Sequence, residues 1–223
     1  MGGGLLDTTT ILLVSVVIIA VGVGIFFFAL PREDVQWIMA DGIKIQSISK
    51  DAKIVYVNNT MEKRVRELYQ SGKLLAFRGE SIGGGIDTVK ARDKAKTNAY
   101  KELSEYFSAK ISTFSQLVDG QIQAIASSGK ANAESLKSTA MQAYKSVTEM
   151  FSSTEVSGTY IYAVWEEYVG NLVYTNVLLI FDPVGAIEAV KSNEQIAKQI
   201  DELGQNGVDF FKALNGVIEE AKK

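Results

Sequence analysis

The chain has 223 residues, 47% of them apolar and 22% charged, with a formal net charge of −3. That is enough apolar sequence for one domain with its own core, and the acidic balance gives no global field for nucleic acid. With no histidine and no cysteine, Ser-His-Asp, Cys-His and His-metal mechanisms, disulfides and thiolate metal sites are excluded.

Ile11–Leu30 is an uncharged run of twenty residues in which Ser15 is the only polar side chain. As a helix it would span about 30 Å, the thickness of a bilayer's hydrocarbon core. Pro31, Arg32, Glu33 and Asp34 end the run, and Trp37 suits a membrane interface. Met1–Thr10 carries no Lys or Arg and no A-x-A site follows, which argues against a cleaved signal. Residues 1–34 are therefore expected to be a tail and single-pass anchor. Ile11, Leu12, Leu13, Val16, Ile18, Phe26, Phe27 and Phe28 would meet the bilayer, with Trp37 at its edge. The charges Arg32 and Lys44 leave orientation open.

Residues 35–190 are expected to form an α+β domain, a mostly antiparallel sheet packed by long helices. Gly42–Ile48 and Ala52–Asn58 read as a hairpin across Ser49-Lys50-Asp51. Thr60 is placed to cap a helix with Val65, Leu68 and Tyr69 on its apolar side, closed by Gly72. Lys73–Gly79 is the next strand. After a glycine-rich loop, Ala91, Ala95, Ala99, Leu103 and Phe107 recur every four residues, and Phe114, Leu117 and Val118 continue the face. Small residues come first, so this helix can lie close against a sheet. Beyond Gly129 a second helix presents Ala133, Leu136, Ala140, Tyr144, Val147 and Phe151. Glu155–Pro183 reads as a hairpin about Gly170-Asn171, with Val177–Phe181 buried on both faces. Residues 191–223 read as an amphipathic helical tail in which Ile196, Ile200, Leu203, Phe210, Leu214 and Val217 keep heptad spacing. Such a tail either packs on its own domain or forms an oligomer seam, and Gly204, Gly207 and Gly216 fit the first better.

Gly79–Gly85 is the stretch that looks most like a site. It fails the P-loop pattern because Gly85 and Ile86 stand where Lys and a hydroxyl belong. It fails the dinucleotide pattern because Thr88 replaces the third glycine, and Asp87 is placed to cap the following helix where a phosphate would sit. Lys90, Arg92, Lys94, Lys96 and Lys101 read as a solvated face, with Lys90, Arg92 and Lys94 as possible ligand or partner contacts. No aromatic platform accompanies them, and no nucleic acid is expected. Glu166 and Glu167 are neighbours on a strand, so they point to opposite faces and cannot easily share a proton or a metal.

The strand ending in Phe77-Arg78-Gly79-Glu80-Ser81, the glycine loop, the helix pattern Ala91-Arg92, Ala95, Ala99, Leu103 and the late hairpin together resemble the LPP20-type lipoprotein domain, related to the N-terminal domain of the flagellar assembly protein FlgT. The resemblance covers roughly residues 74–190. It implies a bacterial envelope protein without known catalysis and an extracytoplasmic domain; the lipobox cysteine is missing, so a transmembrane helix would replace the lipid. The expectation is a membrane-anchored, non-enzymatic envelope protein in the cytoplasmic membrane, with the bilayer and a protein partner or itself as partners, and with no metal and no cofactor. The alternative is a membrane-linked binding module for an anionic ligand at residues 79–101.

Overall fold

A computed structural model describes residues 35–83, 88–127, 132–153 and 158–220. Its first element is a hairpin of β1 (Val35–Ala40) and β2 (Ile43–Ser49). Asp41 and Gly42 both take left-handed conformations, with φ of 43° and 83°. Asp-Gly accepts such a two-residue turn at little cost. β2 thus pairs backward with β1, and β3 (Lys53–Val57) pairs with a strand more than a hundred residues on. The expected pairing of Gly42–Ile48 with Ala52–Asn58 is corrected: both segments are extended, but each has another partner.

A short 3₁₀ turn at Asn59–Met61 leads into α1 (Glu62–Gln70), which buries Val65 and Leu68 and leaves Tyr69 in solvent. Then follow β4 (Leu75–Ile82), α2 (Thr88–Ala109), α3 (Ile111–Ala126) and α4 (Ala133–Phe151). β5 (Thr159–Val169) and β6 (Leu172–Phe181) turn about Gly170-Asn171. Three helices close the described chain: α5 (Pro183–Ser192), α6 (Glu194–Gln205) and α7 (Phe210–Glu219). β3, β5, β6 and β4 form, in that order, an antiparallel four-stranded sheet.

Side chains alternate across a strand, and β6 uses both of its faces. Val177, Leu179 and Phe181 join a cluster with the helices, while Leu178 and Ile180 join a second cluster with the hairpin and α1. The molecule is therefore three-layered. On the helix side, Phe107, Phe151 and Phe181 meet with ring centroids 5.0–5.3 Å apart. Tyr144 stacks on Phe114 at 4.2 Å and donates its hydroxyl to the Phe107 carbonyl at 2.8 Å. Ile196, Ile200, Leu203, Phe210, Leu214 and Val217 lie in this same cluster, so the C-terminal helices pack on their own domain. On the other side Tyr162 crosses from β5 to the hairpin and donates to the Met39 carbonyl at 2.5 Å.

The expected transmembrane architecture is corrected. Among the described residues no helix is long and apolar enough to cross a membrane. Ile11–Leu30, on which that expectation rests, lies outside the described residues, as do Ile11, Leu12, Leu13, Val16, Ile18, Phe26, Phe27 and Phe28 individually. A single-pass protein of the cytoplasmic membrane is not supported; what stands is the antiparallel α+β domain. Trp37, expected at a bilayer interface, sits in β1 opposite Ser47, with the Lys44 ammonium 5.0 Å from its ring centroid.

Candidate functional site

β4 and α2 are consecutive in sequence and lie face to face. Gly79 is where they come closest: a Cβ there would fall 1.9 Å from the Ala95 carbonyl oxygen and 2.4 Å from the Ala99 nitrogen. A Cβ on Gly83 would fall 2.5 Å from that of Ala91. Strand residues two apart share a face and helix residues four apart share a side. The glycines and the Ala91-Ala95-Ala99 ladder are thus the two halves of one close contact, and all three alanines are buried. The expected Asp87 cap and residues 84–87 lie outside the described residues.

Lys90, Arg92 and Lys94 are all exposed on the first turns of α2. At 100° per residue, Lys90 and Lys94 flank one side of the alanine stripe and Arg92 flanks the other. The fold does not bring the three together. Beside the helix start lies a cavity of about 240 Å³ lined by Gly83, Thr88, Glu166, Tyr168 and Thr175 among others. The one acidic residue on its wall is Glu166, whose carboxylate repels an anion.

Glu166 and Glu167 do face opposite ways. Glu166 accepts from the Tyr168 hydroxyl at 3.0 Å and lies 3.9 Å from the Lys53 ammonium. Glu167, on the hairpin side, accepts from Arg78 at 3.1 Å, Trp165 Nε1 at 3.2 Å and the Ser49 amide at 3.3 Å. Arg78 Nε and Nη2 also donate to Asn176 Oδ1 at 3.0 and 2.8 Å, and its guanidinium lies over the Trp165 ring at 5.4 Å. This cluster ties β4, β5, β6 and the end of β2 together, and the Arg78 charge is spent on carboxylates.

A second ion pair fixes α1 to the start of α5. Arg64 Nε and Nη2 donate to the two oxygens of Asp182 at 2.7 and 2.8 Å. Asp182 also caps α5, accepting from the Val184 and Gly185 amides at 3.0 and 3.4 Å. Burial alone would raise this carboxyl, but the Arg64 hydrogen bonds and the two amides outweigh it and hold its pKa below the usual value. Among the described residues no group of His, Cys, Asp or Glu is arranged to hold a metal ion.

Among the described residues, one surface to which none of these contacts gives a structural role is the outer edge of β3. Its ladder to β5 slips by one residue between Ile54, opposite Trp165, and Tyr56, opposite Val164. Val55 is the extra residue of a bulge, so alternation breaks down and three consecutive apolar residues stand in solvent. Ile54 is 41% exposed, Val55 38% and Tyr56 45%. Among the described residues β3 pairs only with β5. The other edge, β4, is guarded: it carries the exposed charged residues Arg78 and Glu80, and Asn98 of α2 donates to the Glu80 carbonyl at 2.7 Å.

No known relative decides between these surfaces. No protein-family model, no curated protein and no solved structure matches the chain. The functional reading therefore rests on the residues themselves. The β3 edge was missed in the sequence because Lys53–Val57 reads equally well as half of a local hairpin. Its run of three uncharged residues without alternation is the signal that sets it apart.

Proposed function

We propose that the domain is a non-enzymatic protein-association module that takes a partner's extended segment along the open edge of β3. One observation carries this reading: Ile54, Val55 and Tyr56 form an apolar edge beside strand backbone that is unpaired among the described residues, whereas the opposite edge carries Arg78 and Glu80 and is covered by Asn98. An exposed strand edge offers its N–H and C=O groups to an added strand, and flanking pockets or side chains give selectivity. The resemblance to LPP20-type domains, which have no known catalysis, is in keeping with such a role. The anionic-ligand alternative is disfavoured by the divergence of Arg92 from Lys90 and Lys94 and by Glu166 in the adjoining cavity.

The test uses a strand-forming probe, a blocked seven-residue peptide of alternating valine and threonine carrying a fluorescent tag. Anisotropy should show saturable binding to the full chain, weakened at least tenfold by Tyr56→Lys and by Val55→Pro. A glycine–proline peptide of the same length should not bind. A flat titration with the alternating peptide, at chain concentrations low enough for the chain to sediment as a monomer, would end the strand-addition reading.

A further inference from the structure

We infer that the strand received by β3 is β3 of a second copy of this chain, paired antiparallel about a two-fold axis through Val55. This rests on the association reading above and adds the identity of the partner. The segment is close to self-complementary about Val55: Ile54 falls opposite Tyr56 of the second copy, and Lys53 opposite Val57. Aromatic and β-branched side chains directly opposite each other are favourable cross-strand pairs, and like charges opposite each other are not. In this register no lysine meets a lysine. A parallel in-register pair would set Lys53 beside Lys53 of the second copy.

The bulge shapes the interface. A bulge commonly turns an edge away from partners, and Lys53 is the one charged residue of this strand. Here Val55 and its two neighbours are apolar and stand out together, so a second copy buries on each side the three side chains left in solvent. Because both copies offer the same edge, the contact is isologous and closed. It uses up each β3 edge, joins the two four-stranded sheets into one of eight strands, and stops at two copies because β4 is guarded.

The absence of cysteine from the chain makes the test clean. Antiparallel neighbours have Cα atoms about 4.5–5.5 Å apart, within the range a disulfide bridges. In the full chain, kept in mild detergent so that the uncharged Ile11–Leu30 segment does not associate by itself, Val55→Cys should cross-link to a dimer under gentle oxidation. Ile54→Cys mixed with Tyr56→Cys should give the mixed dimer, which fixes the register even if one variant folds poorly. Tyr69→Cys, 51% exposed on α1, is the collision control and should give no cross-linked dimer. Sedimentation velocity should show a dimer for the unmodified chain and at least tenfold weaker dimerisation for Tyr56→Lys. A chain that sediments as a monomer, or cross-links as readily through residue 69 as through residue 55, overturns self-pairing. If the valine–threonine peptide still binds in that case, association through β3 survives and only the identity of the partner falls.

Discussion

Gly79 of β4 and Ala95 of α2 touch through their backbones, because the place where a Gly79 Cβ would stand is 1.9 Å from the Ala95 carbonyl oxygen. Nothing flexible lies in the way, so Gly79→Ala must push the helix off the strand. A loss of about 3 kcal/mol is expected, at the upper end of overpacking costs. Gly120, inside α3, has nothing within 4 Å of its Cβ position. Gly120→Ala should therefore stabilise by about 1 kcal/mol through helix propensity. Urea unfolding of the two variants measures both, and equal effects would refute the close-contact account.

Arg64 and Asp182 give the domain an acid-sensitive joint. The folded carboxyl is held below its ordinary value, so its contribution is present above about pH 4, the unfolded carboxylate value, and is lost as pH falls through the folded one. Asp182→Asn keeps an N-cap acceptor but removes the ion pair, and should lower stability at pH 7 while flattening its decline in acid. Arg64→Ala should cost about 1–2 kcal/mol, since the pair is partly exposed. Melting curves between pH 7 and pH 3 test both.

Alkali should loosen the hairpin layer. Burial pushes the Tyr162 phenol up from 10.0 to about 12. A raised folded pKa stabilises fully below the unfolded value and loses that contribution as pH rises, here between pH 10.0 and about pH 12. Burial also raises Tyr144 and Tyr160, so they act in the same direction. Tyr162→Phe should cost about 1 kcal/mol at neutral pH by orphaning the Met39 carbonyl, and should make alkaline unfolding less steep. An unchanged alkaline profile would count against this assignment.

Phe181 anchors the aromatic triangle at the far end of β6. Phe181→Ala should cost about 3–5 kcal/mol, the usual range for a buried aromatic truncated to alanine. Val184→Ala, one turn away and half exposed, should cost little. Similar midpoints for the two in urea would contradict the packing described.

What the sequence made legible was what neighbouring residues decide. The alanine ladder reads as close packing because spacing and side-chain size are local facts, and Ala91, Ala95, Ala99, Leu103 and Phe107 are all buried. The β5–β6 hairpin follows from Gly170-Asn171, and the opposite facing of Glu166 and Glu167 from strand geometry alone. What stayed hidden depends on distant partners. β3 could have closed a hairpin with β2, but β5 claims it from over a hundred residues away. The break at Lys110 between α2 and α3 has no glycine or proline to mark it; α3 changes direction to pack on α4. The candidate site was hidden for the same reason, since an edge is defined by what does not pair with it.

β6 belongs to both clusters at once, and this gives the domain an internal channel of communication. Leu178 and Leu179 are adjacent on one backbone yet sit in different layers. A hole opened on the hairpin side can relax only by moving a strand that the helices also grip. Side chains that never touch are then energetically linked, and paired substitutions across β6 should depart from additivity. A partner seated on β3 would pull on that same sheet, so an event at its outer strand can be felt in either layer.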